Sequence, residues 1–530
     1  MAYVLAYDIG TTGVKTCLFD IDETIKLVAA ANEGYELHIL DNGGAEQDPD
    51  DWWRGMIITT KKVIERADIN PEQIDGISFC SQMQGLVLVD ENGKALRRAM
   101  SYMDQRATQE IKNGIAYGPQ IAGANIFKLI PSLIRTGAVS SSVKDPMWKY
   151  LWVKNNEPEI YKNVYKWLDV KEYLVARMTG EFVMTPDSAY STFLYDTRKG
   201  KEGWSKKLCD LFGINMEHLP RIIEVNDKAG VLLGSAASEL GLVAGIPVFG
   251  GGGDATLIGV GSGCVSVSDT HIYSGTSGWV STIVDKQSVD VVNMIAAIIG
   301  AQKNKYNYFA EMETAGKCFE WVKDHLAKDE IGVYLEKKEI SGSQERIYTS
   351  LYDYLSEVVE NANPGAGGVI FTPWLHGNRC PFEDPNAAGM FFNVKIETGK
   401  TELIRAVLEG ICYHLRWMLE CEDSKVKTSD TIRFSGGGAL AKVTCHMLAD
   451  ITGRRIEVVY EPQNVGSVGA AATASVGLGL VKDIEEIKTM IPVQYTYEPD
   501  AENKVIYDKM YKVFKQLYKA NKKNFKALNM

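Results

Sequence analysis

The first twenty residues alternate in a way that predicts a hairpin. Tyr3–Tyr7 is apolar, Asp8-Ile9-Gly10-Thr11-Thr12-Gly13 is a glycine-bearing turn, and Val14–Phe19 is apolar again. Two short apolar runs around such a turn read as paired strands. The same order returns in mid-chain as Asp269–Tyr273, then Ser274-Gly275-Thr276-Ser277-Gly278, then Trp279–Ile283. Between the two hairpins the pattern predicts a third strand near Leu27–Leu37. A helix over Asp50–Ala67 follows, with Asp50 as cap and Trp53, Ile57 and Ile64 at helical spacing. Strands at Gly76–Cys80 and Leu86–Val89 come next, then a mainly helical stretch from about Gln105 to Thr179. Thr185–Asp196 reads as loop and short strand. Ile246–Phe249 is a short strand entering Gly250-Gly251-Gly252-Gly253, with a helix-like run at Ala255–Val260.

Past Gly263 the hairpin-first order restarts. Helix Thr401–Leu419, strand Thr431–Phe434, helix Ala439–Thr452, strand Arg455–Val459 and helix Gly466–Val476 complete it. The repetition predicts an α/β chain of two large domains, 1–262 and 263–481, followed by a charged helical appendage over 482–530. The length of 530 residues agrees, because one core of that size is uncommon.

Composition narrows the partners. With 45% hydrophobic and 24% charged residues the chain is an ordinary globular mixture, and its net charge of −11 argues against nucleic acid or an anionic membrane. The lysine-rich stretch 518–526 reads as a solvated helix face. Nine scattered cysteines, none in a Cys-x-x-Cys pair, fit reduced thiols and a cytoplasmic location better than disulfides or zinc. No signal-peptide pattern and no long apolar span is read.

Each Gly-Thr turn offers clustered backbone N–H groups and hydroxyls, a concavity suited to phosphate oxygens. Occurring once per half, the pair suggests two lobes acting on one polyphosphate. Asp254 follows a glycine run at a strand's C-terminal edge, where α/β folds place ligand groups, and the glycines would let substrate approach. Asp254 equally suits the N-cap of the helix that starts at Ala255. Asp8, beside the first turn, is placed to hold Mg²⁺ or to serve as a turn residue. Lys15 is either a phosphate contact or an outward strand lysine. Ser435-Gly436-Gly437-Gly438-Ala439 is a third glycine turn, open to a phosphate or a flat base.

That turn also fits Gly-x-Gly-x-x-Ala, as do Gly250, Gly252 and Ala255, which raises a nicotinamide-dependent oxidoreductase with Glu457 or Glu461 on the ribose. Against it, neither turn is read as starting the ~30-residue βαβ unit that opens such a domain, and both Gly-Thr hairpins go unexplained. A non-catalytic sugar or nucleotide sensor is the third reading. No Gly-x-x-x-x-Gly-Lys-Ser/Thr loop is present.

Taken in order, the motifs resemble the FGGY carbohydrate kinases, and within them the xylulose-type members. They are Asp8-Ile-Gly-Thr-Thr-Gly-Val-Lys15, Ala45-Glu-Gln-Asp-Pro-Asp-Asp-Trp-Trp53, Ser81-Gln-Met-Gln-Gly85, Leu151-Trp152, Met178-Thr-Gly-Glu-Phe182, Gly250-Gly-Gly-Gly-Asp254, Ser274-Gly-Thr-Ser-Gly278, Arg405-Ala-Val-Leu-Glu-Gly410, Ser435-Gly-Gly-Gly438 and Ala449-Asp-Ile-Thr-Gly453. The resemblance implies two ribonuclease-H-like (actin-like ATPase) domains with ATP and sugar in a cleft between them. It implies Asp254 as general base, Asp8 for Mg²⁺, Thr11, Thr12 and Lys15 on one phosphate loop, and Gly275 and Thr276 on the other. Gly437 and Gly438 would lie against adenosine, and Gln82, Met83, Gln84 and Asp104 would face the sugar. The partner expected is a small-molecule sugar, such as a ketopentose, another sugar, a sugar acid or a polyol; a homodimer is allowed for. Two departures touch the sugar side: Gln84 stands where xylulose-type members carry His, and Tyr102-Met103-Asp104-Gln105-Arg106 replaces a Trp-Asn-Asp-x-Arg pattern.

Overall fold

The computed structural model describes residues 2–121, 123–328, 353–359 and 362–529. They divide into two compact units. The first comprises Met1–Gly261, Ile298–Asn304 and Gly466–Met490; the second comprises Ser262–Ala297, Lys305–Val465 and Ile491–Met530. The division falls at Gly261/Ser262, but neither unit is one continuous stretch. The sequence reading kept 263–481 together, whereas 466–490 packs with the first unit.

In the first unit, Ala2–Ile9 and Gly13–Ile21 form the expected antiparallel hairpin. Ile25–Gly34 pairs antiparallel to its outer side. On the other side Ile74–Ser81 runs parallel to Ala2–Ile9, Pro247–Phe249 runs parallel to Ile74–Ser81, and Lys228–Val231 closes the sheet antiparallel. Six of the eight residues of Ala2–Ile9 are buried, the mark of a central strand covered on both faces.

Helix Pro49–Ala67 covers one face. Its cap is Asp48, whose carboxylate accepts from Asp50 N, with Pro49 at the first position; Asp50 was the expected cap, and proline preorganises the start one residue earlier. Trp52, Trp53, Met56, Thr59, Thr60 and Val63 face inward. The two threonines are not stranded there: Thr60 Oγ1 bonds Tyr7 Oη at 2.7 Å and Thr59 Oγ1 bonds Thr16 Oγ1 at 2.6 Å. Ile57 and Ile64, expected in the core, pack at its edge.

The second unit repeats this path. Thr270–Ser274 and Gly278–Val284 form a hairpin, and Tyr306–Met312 pairs antiparallel to it. Thr431–Ser435 and Arg455–Val459 add in parallel, and Val493–Tyr497 closes antiparallel. The weak repeat read from the sequence is thus a shared pairing order over six strands, although the antiparallel edge strand precedes its neighbour in the first unit and follows it in the second, and the second sheet adds Val289–Asp290 and Ile295–Ile299. Part of the expected helical appendage is sheet: Val493–Tyr497 is its edge strand. The 29-residue helix Ala501–Asn529 then buries Tyr507, Met510, Tyr511, Phe514, Leu517 and Phe525 in this unit's core.

Candidate active site

In the first unit the parallel strands end side by side. Asp8 is in register with Cys80, and Cys80 with Gly252. Asp8 also lies opposite Lys15 across the hairpin. The carboxylates of Asp8, Asp254 and Asp187 surround the buried Cys80 thiol; burial first and these charges second push the thiol well above its usual range. Burial likewise pushes the Asp8 carboxyl up, opposed by Lys15 and by a hydrogen bond from Cys80. Asp254 opens helix Asp254–Gly261, and its Oδ1 accepts from Ala255 N at 2.8 Å. Asp254 is the first residue of the helix rather than the one before it, and its bond to Ala255 N satisfies one first-turn N–H, so a local capping bond exists and occupies one carboxylate oxygen.

The glycine run does not do what the sequence suggested. A Cβ on Gly251, which has φ +64°, would lie 2.2 Å from Phe79 O, and one on Gly253 would lie 2.2 Å from Met83 Sδ. These glycines let the chain press against Ile74–Ser81 and let Met83 sit over Gly253; they are filled by protein, not left open for substrate.

Four features missed by sequence reasoning hold this cluster. Asp187 Oδ2 accepts from Gly253 N at 2.7 Å, Asp187 Oδ1 accepts from Thr185 Oγ1, and buried Lys171 donates to Thr185 Oγ1 (2.6 Å) and Ser188 Oγ (2.9 Å). Residues 186–191 are a helix, not loop; the Thr-Pro start was the available signal. Gln47 joins the Gly10–Gly13 turn to the 82–84 segment: its Nε2 donates to Thr11 O at 2.7 Å and its Oε1 accepts from Gln82 Nε2 at 2.8 Å. Tyr35 Oη donates to Gly10 O and Gly13 O, bracing the same turn. Gly466 leaves room for Asp8: a Cβ there would meet Asp8 Oδ2 at 2.9 Å and Cys80 Sγ at 3.0 Å.

Around Gln82–Gln84 the contacts are polar and buried. Gln82 is 5% exposed, and its Oε1 has no hydrogen-bond partner among the described residues. Gln84 has φ +63°. Asp104 is fully buried and accepts from Ala45 N (2.9 Å) and Arg106 Nη2 (2.7 Å). Arg106 also binds Glu46 at 2.7 Å, and Arg97 pairs with Glu46 and Glu157.

The other four predicted residues lie together in the second unit. Gly275 and Thr276 form the hairpin turn, whose carbonyls accept from Gly316 N (2.6 Å) and Ala315 N (3.1 Å). Gly436 and Gly438 press on Ser274, with the Gly438 Cβ position 2.7 Å from Ser274 Oγ, so the 436–438 turn abuts the hairpin turn. Thr276 is exposed and Gly437 is half-buried.

Residues 3–261 match the N-terminal domain of the FGGY family of carbohydrate kinases, and residues 271–478 match its C-terminal domain. The chain belongs to this family. The xylulose kinase of Bacillus subtilis is 28% identical over 521 residues, spanning 98% of this chain and 97% of its own. The gluconokinase of Bacillus licheniformis is 27% identical over 527 residues, spanning 98% and 96%. The crystal structure of ligand-bound xylulose kinase from Lactobacillus acidophilus is 25% identical, with a TM-score of 0.83 and full coverage of both chains.

This FGGY kinase is therefore a sugar kinase, a phosphotransferase for which the family implies ATP as donor. The oxidoreductase reading falls with that match, although one ground against it was mistaken. Thr431–Ser435, helix Lys442–Thr452 and Arg455–Val459 do form a parallel βαβ unit after all.

Proposed function

We propose that this kinase phosphorylates a neutral ketose, a ketopentose such as D-xylulose, at one hydroxyl. The observation that carries the choice is that Arg97, Arg106 and Lys149, beside the predicted sugar residues, already have partners, Arg97 Nη1 apart. Arg97 and Arg106 are held by Glu46, Glu157 and Asp104. Lys149 is turned to backbone carbonyls. A sugar acid needs a cation for its carboxylate, and here it would compete with Glu46, Glu157 and Asp104, which already hold the two arginines. A neutral sugar needs only donors and acceptors, and the unpartnered Gln82 Oε1 is an acceptor for one hydroxyl.

In this reading Asp254 takes the hydroxyl proton as the sugar oxygen bonds the γ-phosphorus and the bond to the β–γ bridging oxygen breaks, releasing ADP. Thr11, Thr12 and Lys15 position one set of phosphates, Gly275 and Thr276 the other, and Gly437 and Gly438 the adenosine. The Asp8 carboxylate is a hard oxygen donor that suits Mg²⁺, which binds through one or two carboxylates, substrate phosphates and water and would supply charge neutralisation. No group of three metal-binding side chains placed to hold an ion occurs among the described residues, so Asp8 would act with the ATP phosphates. A cytoplasmic location accords with nine free, buried cysteines.

The test is ADP release with MgATP and a panel of ketopentoses, aldonic acids and polyols. D-Xylulose or another neutral ketose is expected to exceed gluconate in kcat/KM by about a hundredfold or more, which at 1.36 kcal/mol per decade is about 2.7 kcal/mol and within the cost of leaving a charged group without a partner. Preference for gluconate would overturn the assignment.

A further inference from the structure

The helix Pro146–Asn156 carries a fully buried lysine that phosphoryl transfer does not use. Lys149 Nζ donates to two backbone carbonyls far apart in sequence, Gln84 O at 2.5 Å and Ser101 O at 2.9 Å. Each acceptor belongs to a segment with a predicted sugar residue. Gln84 ends the 82–84 segment in a left-handed conformation (φ +63°), which its side chain does not favour. Its successor Gly85 is held by N–H donation to Asp169 Oδ1 at 2.8 Å. Ser101 starts the turn that presents Asp104: Asp104 N donates to Ser101 O at 3.1 Å, and Ser101 N donates to Ala45 O.

We infer that Lys149 is a positioning residue for sugar specificity, clamping the 82–84 segment and the 101–104 turn at the spacing the acceptor sugar requires. The inference rests on the reading of Gln82–Gln84 and Asp104 as sugar-facing. A fully buried ammonium is costly; Asp104, Asp169 and Asp145 offset part of that cost, and the two carbonyl bonds direct the charge to the main chain of both segments. The clamp also accounts for how the chain carries Gln in place of the family's His at position 84. It is the main-chain carbonyl of Gln84 that is fixed, so the segment keeps its course whatever side chain it bears.

The charged groups facing Lys149 are Asp104, Asp169 and Asp145, which favour its protonated form, and Lys144, which opposes it. Burial outweighs them and brings the ammonium down to about 8. The amine therefore loses its charge just above neutrality, and charge-assisted hydrogen bonds are about twice as strong as neutral ones.

The experiment compares Lys149→Met, Gln84→Ala and Asp104→Asn with the parent, measuring KM for the best neutral sugar and for MgATP separately. Lys149→Met is expected to raise the sugar KM about tenfold or more while the ATP KM stays within about twofold, the size of losing hydrogen bonds to a charged group. A purely structural lysine would move both constants or neither, and either result overturns the inference while Gln84→Ala or Asp104→Asn still raises the sugar KM. If neither of those two variants raises it, the sugar-facing reading fails and the inference fails with it. If Lys149→Met does not fold, the parent decides: its sugar KM should rise about threefold or more between pH 7 and pH 9.5 with a flat ATP KM. A flat sugar KM over that range would refute the clamp.

Discussion

Replacing Asp254 with Asn separates the hydrogen bond seen at this residue from the catalytic role proposed for it. The carboxylate accepts from Ala255 N at 2.8 Å at the start of helix Asp254–Gly261. Asn offers the same Oδ1 and caps about as well as Asp, so the ~1 kcal/mol of a cap is retained. The substitution also removes one negative charge from the set formed with Asp8 and Asp187 around Cys80. Relief of like-charge repulsion should leave the melting temperature unchanged or slightly higher. What is lost is the proton acceptor. General-base assistance is worth roughly 10²–10⁴ in rate, which at 1.36 kcal/mol per decade is about 2.7–5.5 kcal/mol of barrier. Turnover is read by ADP release with a saturating accepted sugar, folding by the melting curve, and ATP binding by the melting shift with MgATP. Asp254→Ala is the control: it removes base and cap together, so it should be as inactive as Asn and less stable. Turnover of Asp254→Asn within a few-fold of the parent would refute the catalytic role and leave Asp254 as a cap alone.

Gly466→Ala introduces a favourable helix former, yet its Cβ would lie 2.9 Å from Asp8 Oδ2. Shifting that carboxylate should raise the Mg²⁺ concentration for half-maximal activity about tenfold, within the 1–3 kcal/mol range of overpacking, and an unchanged Mg²⁺ titration would count against Asp8 as the metal carboxylate. Glu422 lies fully buried with Thr282 Oγ1 donating to it at 2.6 Å, and burial raises its carboxyl well above the usual range. The folded state keeps this proton after the unfolded chain has released it, so stability falls as pH rises above the unfolded carboxyl's range. Glu422→Gln removes that slope and should melt about 1–3 °C higher than the parent at pH 8, with the gap closing towards pH 5; an equal gap at both would refute the account.

Much of the fold was legible where the signal is local. Both hairpins follow from apolar runs flanking Gly-Thr turns, and the helix Lys442–Thr452 and strand Arg455–Val459 follow from periodicity and a following glycine. What was not legible depends on distant partners. Residues 466–490 look like a continuation of the second half, yet the chain returns them to the first unit, where a Cβ on Gly469 would lie 2.2 Å from Leu257 O. Val493–Tyr497 has a weak strand signal in a charged segment, and only pairing with Arg455–Val459 makes it a strand. The Lys171–Thr185–Asp187–Gly253 connection joins three stretches of sequence that share no spacing rule.

The glycines around Asp254 have a packing reason that differs from the one their sequence suggests. A glycine run beside a carboxylate suggests room for a ligand, but a glycine is required wherever anything occupies the Cβ position. At Gly251 that occupant is the Phe79 carbonyl, and at Gly253 it is Met83. Packed this tightly, the run cannot shift without moving the strand Ile74–Ser81, whose end carries Cys80 and Ser81 beside Asp8 and Ile9. Gly253 N is further fixed by Asp187, itself tied through Thr185 to a buried lysine. On the proposed mechanism the glycines would serve by holding the base, because protein fills the space beside them. A base that accepts a proton during in-line transfer must stay within hydrogen-bond reach of the attacking hydroxyl, and a rigid support for it costs no reordering when the substrate binds. On the same proposal, room for the sugar is left to the polar set at Gln82–Gln84 and Asp104.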